Sequence, residues 1–171
     1  MENEGIGKRV WTGSRFWVQA ALTGSAYAAL TLAFAPFAYG PVQVRLSEAL
    51  TVLPYFTPAA IPGLFIGCVA ANLISPYGIM DLLCGSLATL MAAALSYALR
   101  RWRFLVPLPP VLLNAVIIGA MLYYGYGVNA SFLGNALWVG LGEMAACYCL
   151  GMPLLLVLEK HRGIFNAGRR R

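Results

Sequence analysis

Charge is the scarcest property of this chain. Only 11% of its 171 residues are Asp, Glu, Lys or Arg, where a soluble domain of this length carries roughly a quarter. Histidine occurs once, as His161 in a basic tail, where it reads as solvated. The four cysteines, Cys68, Cys84, Cys147 and Cys149, all lie in apolar runs, and none forms a CxxC pair. A metal centre or disulfide framework is therefore not expected, and the cysteines read as small packing residues. GxxxxGK[ST] is missing, so ATP is not bound at a P-loop. HExxH and GxSxG are missing as well, and no enzyme is expected. There is no internal repeat of the kind that pairs helices in inverted-repeat carriers.

What is present is apolar. Hydrophobic residues make up 60% of the chain, and mean hydropathy is +0.73. The charges cluster in the first fifteen residues, in "RRWR" at 100–103 and after Glu159. Long apolar segments separate them, the pattern of a polytopic membrane protein. The start could imitate a secretory signal, with "AFA" at 33–35 as a cleavage site. Pro36 would follow the cut, and the run from Phe16 is long enough to span, so it reads as an uncleaved helix.

A span needs about 20 residues. Segments fall near 16–38, 59–75, 77–99, 105–124 and 132–158, with a shorter piece at 42–57 that Pro54 and Pro58 end. The expected fold is all-α with six transmembrane helices. Residues 1–15 form a cytoplasmic segment, 16–158 the membrane domain and 159–171 a basic tail. An even count puts both termini on one side. Every Lys/Arg cluster then faces the cytoplasm, while the outer turns at 39–41, 75–78 and 125–131 carry none. Trp11, Trp17 and Trp102 suit an inner aromatic belt, and Tyr39, Tyr77, Tyr123, Tyr124 and Tyr126 an outer one.

Arg45, Glu48, Asp81 and Glu143 are the charges within the apolar region, and Asn72 and Asn114 its notable amides. Ionisable groups in a membrane are costly, so they pair or face a cavity. Helical rise puts these residues at mid-depth or in the outer half. Glu143 shares a small-residue face with Ala136, Gly140, Ala146 and Cys147, and Trp138 points elsewhere, toward lipid. Asp81 leads a stripe of Gly85, Ala88 and Ala92. If the second segment is helical from residue 44, Arg45 and Glu48 share a face. If it is extended there, Gln43, Arg45 and Ser47 do. On a structural reading Arg45 pairs with Glu48 or Asp81 and the amides bridge helices. Three carboxylates facing one arginine leave excess negative charge or protonated acids, which a cationic, donor-rich ligand would resolve. The short, proline-bounded second segment also suits a binding wall. On the first helix, Ala21, Ser25, Ala29 and Ala33 form a small-residue seam beside Ala20, Gly24 and Ala28, fit for another helix of this chain or of a partner.

"VQVRLSEALTVLP" (42–54) resembles the signature of the QueT family. "GCVAANLISPYGIMDLLCGSLATLMAAALS" (67–96) and "VGLGEMAACYCLGMPLL" (139–155) are similar to its later segments. The resemblance covers nearly the whole chain. It implies an S component of an energy-coupling factor (ECF) transporter, with a six-helix S-component fold and an outward-facing pocket in the cell membrane. The implied ligand is a queuosine precursor, chiefly prequeuosine (7-aminomethyl-7-deazaguanine), and no cofactor is implied. The implied partners are a transmembrane T component and two cytoplasmic ATPases, in a lipid bilayer and without nucleic acid. The T component would dock at Ala21, Gly24, Ser25, Ala28 and Ala29. Gln43, Arg45, Glu48, Asn72, Asp81, Asn114 and Glu143 are the candidate ligand residues. A deazaguanine edge offers donors at N1 and N2 and an acceptor at O6, and its aminomethyl group is a cation. Glu143 or Glu48 would read the edge, and Asp81 or the other glutamate the ammonium. Arg45, Asn72 and Asn114 would donate to O6 or orient the acids. Tyr77 or Tyr123 is the candidate for stacking on the ring, and the loop at 39–46 for closing over it. Competing readings are an S component for another vitamin, such as riboflavin or thiamin, and a non-transporting membrane scaffold.

Overall fold

Runs of Leu, Ala and Met favour helix, and the Pro and Gly between them set its limits. The computed structural model describes residues 13–39, 45–127 and 131–161, and among these every regular element is helical. Helix α1 spans Ser14–Ala33, and a single turn, α2, follows at Ala35–Ala38. A ten-residue 3-10 helix, Leu46–Tyr55, comes next. Then come α3 (Ala60–Asn72), α4 (Gly78–Ala98) and α5 (Leu108–Ala120). Helix α5 continues into a π-helical turn, Met121–Gly125. Helix α6 (Phe132–Met144) passes through a π-helical stretch, Ala145–Gly151, into α7 (Met152–Lys160). The hydroxyl of Ser131 starts α6 by accepting from the Gly134 N–H at 3.1 Å.

The surface is the reverse of a soluble protein's. On α4, Ile79, Leu83, Leu87, Met91 and Leu95 point outward, while Asp81, Gly85, Ala88 and Ala92 are buried. Trp138 is exposed on α6, and Glu143 is inside. An apolar exterior around a polar interior is stable in lipid and not in water, so this is a membrane protein.

Helical segments lie where the apolar runs placed them, but their lengths do not by themselves give six crossings. Among the described residues, three stretches are long and apolar enough to span: Gly78–Ala98, Arg103–Gly125 and Phe132–Lys160. Helix α1 has 20 residues, yet Arg15, Gln19, Thr23 and Ser25 dilute its hydropathy. Helix α3 has 13 residues and rises about 20 Å, short of a hydrocarbon core of about 30 Å. The Leu46–Tyr55 segment is tighter and longer per residue than α-helix. At about 2 Å of rise per residue it covers roughly 20 Å, where ten α-helical residues would cover about 15 Å.

Glycines allow the closest helix contacts. A Cβ on Gly67 would sit 2.5 Å from the Gly24 carbonyl, and one on Gly63 would sit 2.5 Å from that of Ala20. The Ala20/Gly24 row of α1 is therefore consumed inside the chain by α3, backbone against backbone. The parallel row, Ala21, Ser25, Ala29 and Ala33, stays exposed. Packing within the chain thus accounts for one of the two α1 rows, and the other has no partner helix among the described residues. Tyr27, Ala60, Leu64, Cys68 and Ala93 form one buried apolar cluster, and Val52, Val106, Met152 and Leu155 another. The 3-10 helix packs on the π-helical stretch, where a Cβ on Gly151 would lie 3.1 Å from Val52 Cγ1.

Candidate functional site

The backbone changes conformation between the two residues that first mark the site. Arg45 is extended (φ −91°, ψ 100°), and the 3-10 helix starts immediately after it. The Glu48 N–H donates to the Arg45 carbonyl at 3.0 Å, closing the first turn. The sequence left helix and strand open here. The switch sends the two side chains to different partners.

Arg45 goes to the start of α4. Its Nη2 donates to both oxygens of Asp81, at 2.8 and 2.9 Å, and both residues are buried. Ser75 Oγ donates to Asp81 Oδ2 at 2.6 Å. The Tyr39 ring lies under the guanidinium, 5.7 Å from its centroid, and the Tyr39 hydroxyl donates to the Ala71 carbonyl at 2.7 Å. Asn72 Nδ2 donates to the Asp81 carbonyl at 3.0 Å and to Cys68 Sγ at 3.4 Å. Asp81 is thus satisfied on both oxygens by this chain's own donors.

Glu48 goes the other way, toward α1. Its Oε1 accepts from the Tyr27 hydroxyl and, at 3.5 Å, from Thr89 Oγ1. Its carbonyl accepts from Thr51 Oγ1 at 2.5 Å and from Cys147 Sγ at 3.6 Å. The Cys147 thiol also reaches Glu143 Oε2 at 3.7 Å, and the Asn114 amide faces the same carboxylate. Glu48, Glu143, Asn72 and Asn114 are all buried. Six of the seven candidate residues therefore converge between α3, α4, α5, α6 and the 3-10 helix. The seventh, Gln43, lies outside the described residues, as does most of the 39–46 loop.

Two buried acceptors in this cluster, Glu48 Oε2 and Asn72 Oδ1, have no hydrogen-bond partner among the described residues. Glu48 and Glu143 also form no ion pair there. Buried polar atoms are nearly always paired, so these two are the atoms of the cluster open to a donor. Among the described residues the open atoms of this cluster are therefore an acid oxygen and an amide oxygen.

Gly85 makes room for the arrangement. A Cβ there would lie 2.7 Å from Asn72 Nδ2, 3.1 Å from Asp81 Oδ1 and 3.4 Å from Arg45 Nη1. Gly85→Ala is therefore expected to lower stability by about 1–3 kcal/mol through overpacking. Thermal unfolding in detergent checks this, and an unchanged midpoint would show that the cluster yields freely.

Charge counting missed the hydroxyls and the thiol that hold the acids, Tyr27, Thr89, Ser75 and Cys147, and the thiol of Cys68 that Asn72 and Thr89 share. One signal for Tyr27 was available. It continues the buried face of α1 through Ala20, Thr23, Gly24 and Thr31, at helical spacing. Among the tyrosines expected at the rim, Tyr77 lies edge-on to Tyr126 at 5.2 Å, and Tyr123 to Tyr124 at 4.8 Å.

On the lipid side of α1 and α3 lies a groove of about 370 Å³. Ala21, Gly24, Ser25 and Ala28 line one wall, and Ile66 and Ala70 the other. Ala29 is exposed but outside that lining.

Comparison with known proteins points one way. The family described as "QueT transporter" matches residues 17–160. The queuosine precursor transporter QueT of Lactococcus lactis subsp. cremoris (strain MG1363) is 32% identical over 84 residues, 48% of this chain and 49% of that protein. The chain thus spans about half the length of this curated relative. No solved structure matches. With a match across the apolar segments and the polar cluster between them, the chain belongs to the QueT transporter family.

Proposed function

We propose that this chain is the substrate-capturing S component of an ECF importer, a binding subunit and not an enzyme. It takes a queuosine precursor, prequeuosine, from outside the cell. The observation that carries this is the pair of open acceptors, Glu48 Oε2 and Asn72 Oδ1, buried beside a second acid, Glu143. Prequeuosine brings what they call for: N–H donors on its guanine-like edge and an ammonium on its side chain. Since Asp81 is occupied by Arg45 and Ser75, the ligand falls to Glu48 and Glu143. One acid takes the edge and the other the ammonium, with Asn72 and Asn114 beside them. Arg45 then acts as a strut between the 3-10 helix and α4. The name of the Lactococcus relative supports the same ligand class.

The chain has no P-loop of its own, which supports energisation by two ATPases through a transmembrane T component. The exposed Ala21/Ser25 row and its groove suit that partner, since small residues let a second helix approach closely. In this reading the six helical segments adopt the S-component fold in the cell membrane. The Lys/Arg clusters support a cytoplasmic side for both ends of this segment set.

The test is ligand-linked thermal stability of the purified protein. Prequeuosine at about 100 times its dissociation constant should add roughly 2.7 kcal/mol to the folded state. Guanine, which lacks the ammonium, should add less, and riboflavin and thiamin nothing. A midpoint that prequeuosine leaves in place, or that riboflavin or thiamin alone raises, would overturn the proposal.

A further inference from the structure

Glu48 is held asymmetrically. Its carbonyl takes Thr51 and Cys147, and its Oε1 takes Tyr27 and Thr89, while Oε2 has no partner among the described residues. Tyr27 is fully buried, and packing holds it from two sides. Gly67 of α3 presses on its flank, so that a Cβ there would fall 3.0 Å from Tyr27 Cβ. Leu64 and Cys68 of α3 and Ala93 of α4 share its apolar cluster. One turn on, Thr31 Oγ1 donates to the Tyr27 carbonyl at 2.9 Å and lies 2.7 Å from Ser47 Oγ. Helix α1 thus reaches two successive residues of the 3-10 helix, Ser47 and Glu48, from two successive turns of its own.

We infer that Tyr27 is a positioning residue for ligand capture. Its hydroxyl fixes Glu48 Oε1 so that Oε2 alone is presented to the ligand's donors. A carboxylate free to rotate would lose part of its binding strength in ordering either oxygen. A hydrogen bond from a deeply buried phenol removes that freedom before the ligand arrives. The inference rests on the reading of Glu48 as a ligand-facing acid and adds to it the group that aims it.

Prequeuosine affinity, measured for single and double variants, tests this. Tyr27→Phe keeps the ring and removes the donor. It should weaken prequeuosine binding roughly tenfold or more, as expected for a bond to a charged group. In a Glu48→Gln background, Oε2 is no longer an acceptor and the same change should have little further effect, a non-additivity that identifies coupled residues. Thr31→Val, which cuts the neighbouring link to Ser47, should leave affinity near wild type. Thr89→Val removes the longer contact to Oε1 and should give a smaller loss with the same non-additivity. It is the second measurement if Tyr27→Phe does not fold. A wild-type chain that binds no prequeuosine overturns the ligand reading and this inference together. Wild-type binding with Tyr27→Phe unchanged, or with the same loss in the Glu48→Gln background or in Thr31→Val, overturns this inference alone.

Discussion

Asp81→Ala is expected to cost about 3–5 kcal/mol of stability, the range for removing one partner of a buried ion pair. The side chains of Arg45 and Asp81 are 5% and 0% exposed. Arg45 Nη2 donates to both Asp81 oxygens. Without Asp81 the guanidinium stays buried with a thiol and a tyrosine ring nearby, while Glu48, which reaches it only through space, stays bonded to Tyr27 and Thr89. Surface pairs give no guide here, since their usual worth of at most about 1 kcal/mol reflects full solvation of both charges. The change should appear as a large drop in the thermal midpoint in detergent. Arg45→Ala should do similar harm, leaving Asp81 with Ser75 alone. The informative variant removes both charges. Arg45→Met with Asp81→Leu strands neither partner, and such replacements are often neutral or stabilising. We expect it to regain most of the loss and to retain prequeuosine binding, as a strut would allow. A double variant as unstable as Asp81→Ala would show that the pair contributes more than mutual neutralisation.

The route from sequence to site was uneven for physical reasons. Apolar runs broken by Pro and Gly located the helical segments because length and hydropathy are local properties. Small-residue rows on α1 and α6 were legible because helical periodicity is fixed. The 3-10 and π geometry was not. Repeats of about three, four and five residues cannot be told apart in an apolar run as short as Leu46–Tyr55. Yet that geometry decides the site, since the switch after Arg45 parts it from Glu48. Pairing was also illegible: three acids faced one arginine, and only the fold selects Asp81. The groups that orient the acids were hidden for another reason. Tyr, Ser, Thr and Cys are unremarkable in membrane helices, and only their burial beside a carboxylate marks Tyr27, Thr89 and Ser75.

Glu48→Gln and Glu143→Gln should behave oppositely to Asp81→Ala. Both acids are buried, and neither has an ion-pair partner among the described residues. A buried carboxylate without a cation costs free energy, so the neutral isostere should raise the thermal midpoint of the empty protein. The same change should weaken prequeuosine binding by about 2–5 kcal/mol, or at least roughly 30-fold, the range for truncating a buried charged contact. The loss has a specific origin at Glu48. Oε1 keeps its bond from Tyr27, while a new N–H at the Oε2 position meets the ligand's own donors. At Glu143, Asn114 can still donate to the remaining oxygen. Stability and affinity therefore move in opposite directions for the two glutamates and together for Asp81→Ala. Melting curves with and without ligand on three variants separate acids that serve the ligand from an acid that serves the fold. A glutamine variant that loses stability, or that binds as wild type, removes that glutamate from the ligand site.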